Sequence, residues 1–163
     1  MTASENPHYT KIDIILEFIS IAALLVFLIY TILNWGSVPE KIPDHFNWSG
    51  LPDSWGSKGT APVMLYVTAF IFILFTVISR FPRIINFPIR INEENSKPHL
   101  QLRFSLIMWI KAELVVSASY LGVQGIRVAL GYSEGLGTLA IPLILAVLAA
   151  TGAAFIYRAS KLN

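Results

Sequence analysis

The chain has 163 residues, of which 55% are apolar and 13% charged, with a formal net charge of +2 at pH 7 and a mean hydropathy of +0.62. A soluble domain carries about a quarter charged residues, so this composition excludes an ordinary soluble fold, and its sparse basic residues exclude a nucleic-acid binder. The absence of cysteine excludes disulfides, iron–sulfur clusters and thiolate zinc sites.

A helix needs roughly 20 mostly apolar residues to cross the hydrocarbon core. Four segments meet that length: 14–33, 61–79, 104–131 and 136–157. The expected fold class is therefore an all-α membrane protein, a four-transmembrane-helix bundle. It forms one domain over 1–163, with an ordered extracytoplasmic motif loop at 35–60 and a basic cytoplasmic loop at 80–103. The first span is expected to be an uncleaved helix rather than a signal peptide. Acidic Asp13 and Glu17 stand where a basic n-region belongs, and the apolar run is longer than an h-region. Asp13, Glu17 and Ser20 share one helix face. Two carboxylates one turn apart repel, so a cation is expected nearby. Lys111, Arg103 and Arg80 are the candidates for a cluster that locks helices together.

Loop 35–60 is proline-rich. Pro39, Pro43 and Pro52 oppose a long helix, and Ser49-Gly50 and Pro52-Asp53 are turn pairs. Residues 45–48 and 54–57 then read as two short strands of a hairpin. The rings of Trp35, Phe46, Trp48 and Trp55 suit a membrane interface. The candidate binding residues of this cap are His45, Asn47, Asp53, Trp55 and Lys58, with Asp44 beside them. A metal site needs three or more ligands. The loop holds one histidine, and His8 and His99 fall on the other side, so no metal or other cofactor is expected. A structural hydrogen bond is the preferred role for His45.

The second span is uncharged. After it, Arg80, Arg83, Arg90, Lys97 and Arg103 crowd one loop, whereas loop 35–60 carries Lys41 and Lys58, and 132–135 has no Lys or Arg. The positive-inside bias puts loop 80–103 in the cytoplasm, with both termini, and loop 35–60 outside. Asn92-Glu93-Glu94 before Asn95 reads as the start of a short helix, and the loop as a solvated connector or a regulator's docking surface.

The third span carries a polar stripe. Glu113, Ser117, Tyr120, Gln124 and Arg127 step by four, three, four and three, which places them on one helix face. A charge near the bilayer centre costs at least ~2.5 kcal/mol, so this seam is expected to face the bundle interior. Glu113 lies roughly 13 Å along the helix from Phe104 at 1.5 Å per residue. Arg127, near the outer end, is within reach of outer-loop carboxylates. Lys111 is off the stripe and extends to the cytoplasmic surface or pairs with Glu17. A satisfied structural seam is preferred over a ligand cavity or proton path. In the fourth span, Ala146, Ala150 and Ala154 with Gly152 present a small-residue face. Packing inside the bundle is its expected role, with self-association left open. Pro142 is expected to kink the helix.

The run Ile42-Pro43-Asp44-His45-Phe46-Asn47, then Gly50, Pro52-Asp53 and Trp55-Gly56-Ser57-Lys58, carries a resemblance. It is similar to the I-P-x-H-F-(N/G)-x-x-G-x-P-D-x-W-G-S-K loop of a bacterial membrane family of unknown function. Asn86 to Ile91, with Glu93-Glu94-Asn95, resembles the same family's segment after its second helix. That family's best-known members are immunity proteins against the sporulation-delaying peptide toxin, in which the resembling part is N-terminal and further helices follow. The resemblance implies the helical architecture, the importance of the loop motif and a multi-pass home in the bacterial plasma (inner) membrane. It supplies no catalytic residues.

Three functions are weighed. The first is a non-enzymatic binding, sensing or immunity module whose outer loop recognises a peptide, lipid or envelope component. Its partners would be the bilayer, that ligand, and a second copy or a regulator protein. The second is a small ion-coupled transporter using Glu113 and Arg127. The third is an outer-surface enzyme with His45 and Asp53 as acid–base groups. It ranks last, because no HExxH, GxSxG or phosphate-loop motif is present.

Overall fold

The computed structural model describes residues 7–85 and 96–162. Four long helices dominate: α1 (Lys11–Asn34), α2 (Thr60–Ile78), α3 (Ser96–Ala129) and α4 (Ala140–Ser160). All four are long and apolar enough to cross a membrane, which makes this a multi-pass membrane protein. A two-stranded antiparallel hairpin, β1 (Lys41–Phe46) and β2 (Pro52–Ser57), joins α1 to α2.

Helix α1 starts with a capping box. The Thr10 hydroxyl accepts from the Asp13 backbone N–H, and the Asp13 carboxylate accepts from the Thr10 N–H. The box satisfies donors that a helix start otherwise leaves open. Buried Asp13, Leu16, Ser20, Phe27 and Thr31 then mark one face of α1, and α1 makes its most extensive contact with α3. Its other faces carry exposed Phe18, Val26 and Leu33, apolar surface suited to lipid.

Helix α3 is the hub. It packs on α1, on α2 and on α4, whereas α2 and α4 make little contact with each other. Its 34 residues span roughly 51 Å at 1.5 Å each, well beyond a hydrocarbon core of ~30 Å. Hydropathy alone located the 104–131 part, and the more polar turns from Ser96 escape that signal.

Several expectations are corrected here. The hairpin strands run 41–46 and 52–57 rather than 45–48 and 54–57, because Asn47 ends β1. Its side-chain oxygen accepts from the N–H groups of Ser49 and Leu51, folding 47–51 into a tight turn with Gly50 at φ +76°. Helix α4 begins at Ala140 rather than near 136, since Leu136 is spent on packing beneath the hairpin. Pro142 therefore falls in the first turn of α4, where its missing N–H has no helical partner to lose, and no kink is needed. The face of α4 turned to α3 holds Thr151, Phe155 and Ala159. Ala146, Ala150 and Ala154 are exposed instead of lying inside the bundle. The short helix expected at Asn92-Glu93-Glu94 and the motif from Asn86 to Ile91 lie outside the described residues.

Candidate binding site beneath the hairpin

Two compensating bulges shape the hairpin. Pro43 faces Trp55 and His45 faces Ser54, which leaves Asp44 as the extra residue of β1. Phe46 then faces Pro52, which leaves Asp53 as the extra residue of β2. In a regular strand, neighbouring side chains alternate between faces, and a bulge re-aims them. Asp44 and His45 accordingly border the same cavity. His45 Nδ1 also lies 2.5 Å from Asp53 Oδ1, joining the two bulged stretches in a solvent-exposed pair. This is the hydrogen bond expected of His45. Its Nε2 makes no hydrogen bond to a described residue.

The hairpin is seated, not floating. At its tip the Gly50 carbonyl accepts from the Leu136 N–H at 2.7 Å. The approach is so close that a Cβ at Gly135 would stand 2.2 Å from that carbonyl oxygen. Tyr120 of α3 donates to the Leu136 carbonyl, and Gln124 donates to the Tyr120 hydroxyl at 3.3 Å. At its base the Lys58 ammonium sits 4.7 Å from the Trp35 ring centre, a cation–π contact. Buried Val38 and Ile42 pack with Phe27, Ala61 and Ile126.

Under this roof lies a cavity of about 220 Å³. Thr60 and Met64 of α2 form one wall, Ile141 of α4 another, and Gly122 and Gly125 of α3 lie opposite β1. The two glycines differ. A Cβ at Gly122 would fall 2.1 Å from the Phe27 ring, so that glycine lets α1 close on α3. A Cβ at buried Gly125 would meet nothing within 4 Å. The space beside it is empty.

The candidate residues thus divide. His45 and Asp53 meet at the cavity rim, while Asn47 holds the turn and Lys58 the base. Trp55 is half-exposed opposite Pro43. The polar seam of α3 turns toward α4. Glu113 accepts from the Thr151 hydroxyl, Tyr120 and Gln124 serve the hairpin seat, and Ser117 is half-buried between them. Arg127 is exposed at the end of α3 and makes no ion pair with a described residue, so the reach to a carboxylate of loop 35–60 is not made. At the other end, fully buried Lys111 pairs with Glu17 of α1 and reaches Thr76 of α2 at 3.3 Å. Thr10 and Ser105 donate to Asp13 Oδ2, its buried Oδ1 has no partner among the described residues, and neither Arg80 nor Arg103 pairs with it. Sequence reading passed over Gly122, Gly125 and Thr60. The available signal was two glycines three apart inside a long helix, each worth ~1 kcal/mol less than Ala there.

The helix–hairpin–helix run from α1 into α2 is the part with a recognisable signature. Residues 22–74 match the family described as a domain of unknown function (DUF1648). The DUF1648 segment covers most of α1, the whole hairpin and most of α2. It therefore supplies the roof and one wall of the cavity, while α3 and α4 lie beyond it. An uncharacterized protein of Archaeoglobus fulgidus is 28% identical over 120 residues, covering 65% of this chain and 64% of that protein. The chain thus spans under two thirds of the length of this curated relative. No solved structure matches.

Proposed function

We propose that this protein is a non-enzymatic binding module of sensing or immunity type, resident in the plasma membrane. The hairpin faces outward, both termini face the cytoplasm, and the hairpin with the cavity beneath it recognises a peptide or lipid of the envelope. The cavity roofed by β1 is the observation that carries this reading. Binding sites are typically concave and apolar with a few placed polar groups, and here Asp44, His45 and Thr60 edge an otherwise apolar space. The charge bias of 80–103 supports the orientation, and that basic loop would be the side that meets a regulator.

The test is native mass spectrometry of the protein released gently from its own membrane. The expected result is a co-purifying peptide or lipid in wild type that is lost in Gly125→Leu, which fills the cavity, and weakened in the double variant His45→Ala, Asp53→Ala. Wild type with nothing bound, as folded as the variants, sinks the reading.

A small ion-coupled carrier is the second reading. It is favoured by Glu113 Oε2 and Gln124 Oε1, buried on the α3 stripe without a hydrogen-bond partner. Buried ionisable groups inside a bilayer commonly mark ion paths. Glu113→Gln, which preserves shape, should then abolish proton-coupled flux in proteoliposomes. Equal flux in both proteins removes this reading.

A further inference from the structure

The cavity is asymmetric, and its asymmetry specifies an occupant. Its polar groups gather at the hairpin end, and its depth is lined by Met64, Leu121, Ile126 and Ile141. It lies between α2 and α4, the two helices that scarcely touch each other. A chain lying in the bilayer can enter sideways through that gap. At about 220 Å³ the cavity falls below the roughly 300–1,000 Å³ of sites that enclose a whole small molecule. It suits the neck of a longer amphiphile whose remainder stays in lipid.

The polar end has a definite sign. His45 is engaged by Asp53, and Lys58 is engaged by Trp35. Asp44 makes no hydrogen bond or ion pair with any described residue. Its Oδ2 lies 2.5 Å, and the Thr60 hydroxyl 3.1 Å, from the point where a side chain at Gly56 would begin. Asp44 and Thr60 both line the cavity, and Gly56 puts no side chain between them. That pair offers acceptors to a group with several N–H donors, as a primary ammonium has. A quaternary ammonium has no N–H and is recognised by cages of Trp, Tyr or Phe; among the described residues the lining provides one such ring, Phe46.

We infer that the cavity binds an amine-headed membrane lipid, with its ammonium on Asp44 and Thr60 and its chain running past Gly125 between α2 and α4. This deepens the binding role proposed above and rests on it. Gly125 is the second half of the argument. A helix-interior glycine gives up about 1 kcal/mol relative to alanine, and here no neighbour needs the room.

The test places the full-length protein in lipid nanodiscs made of equal parts phosphatidylethanolamine, phosphatidylcholine and phosphatidylglycerol, and identifies the lipids that remain bound on ejection in a mass spectrometer. Wild type should retain phosphatidylethanolamine about tenfold over the other two, the discrimination expected of one charge-assisted hydrogen bond. Asp44→Asn should still retain lipid, but in the proportions supplied. Gly125→Leu should retain none at this site and Gly125→Ala less than wild type, while thermal unfolding in detergent shows both variants to be as folded as wild type. Lipids retained in the supplied proportions by wild type and Asp44→Asn alike, yet lost in Gly125→Leu, would overturn the amine assignment and leave the binding role standing. So would a native peptide occupying the cavity in place of lipid. Retention in Gly125→Leu equal to wild type would overturn both.

Discussion

A methyl group at position 122 has nowhere to go. It would overlap a Phe27 ring that is fully buried and so has no space into which to turn. Gly122→Ala should destabilise the protein by about 1–3 kcal/mol, the usual penalty for overpacking. Gly125→Ala, one turn away, should be neutral or raise stability by up to about 1 kcal/mol through helix propensity. Thermal unfolding in detergent, compared across both variants, checks the contrast; equal effects would refute the packing described. Both positions read alike in the sequence. What distinguishes them is a ring 95 residues earlier on one side and an empty space on the other, and no local pattern records either. Asn47 shows the same limit. The motif marked it as a candidate ligand group, yet its side-chain oxygen is taken by two backbone donors of its own turn. Asparagine serves either purpose, and only the turn's geometry decides.

Among elements, the strongest tie is Lys111. It fastens α1 and α2 to α3 through Glu17 and Thr76, with its ammonium 5.0 Å from the Phe72 ring centre. Removing one partner of a buried pair strands the other. Lys111→Met should therefore cost about 3 kcal/mol, the lower end of the range for a broken buried pair, because the Glu17 side chain keeps 25% of its exposure. Adding Glu17→Leu should recover most of the loss. Unfolding titrations of the single and double variants measure both, and a double variant weaker than the single would contradict this account. The pairing was legible because two carboxylates one turn apart inside an apolar run demand a cation. The face that α4 turns to α3 was not legible. In a membrane, both the lipid side and the bundle side of a helix are apolar, so small residues at four-residue spacing do not say which way they point. Here the large residue Phe155 makes the contact, and the alanines look out.

At the scale of the molecule, the four spans were plain from apolar run length, each within a few residues except the start of α3. Their order around α3 was not plain, since hydropathy carries no information about neighbours. The proposed orientation has a direct check, because the natural chain has no cysteine to remove. Cysteines at exposed Trp48 and Glu134 should react with an impermeant maleimide on intact cells, and those at Arg83 and Arg158 only after permeabilisation. The reverse pattern would invert the protein and move the cavity to the other leaflet. The pairing of distant residues also dictates a sequence of events during synthesis. A chain leaves the ribosome from its N-terminus and settles largely in that order. Both partners of Lys111 precede it, so that cation meets its carboxylate as soon as α3 inserts. Glu113 must wait for Thr151, which lies 38 positions later. The Gly50 carbonyl waits longer still for its own partner, Leu136, across two intervening spans, α2 and α3. The hairpin is made early and fastened late, by a residue that emerges only after α3 and just ahead of α4.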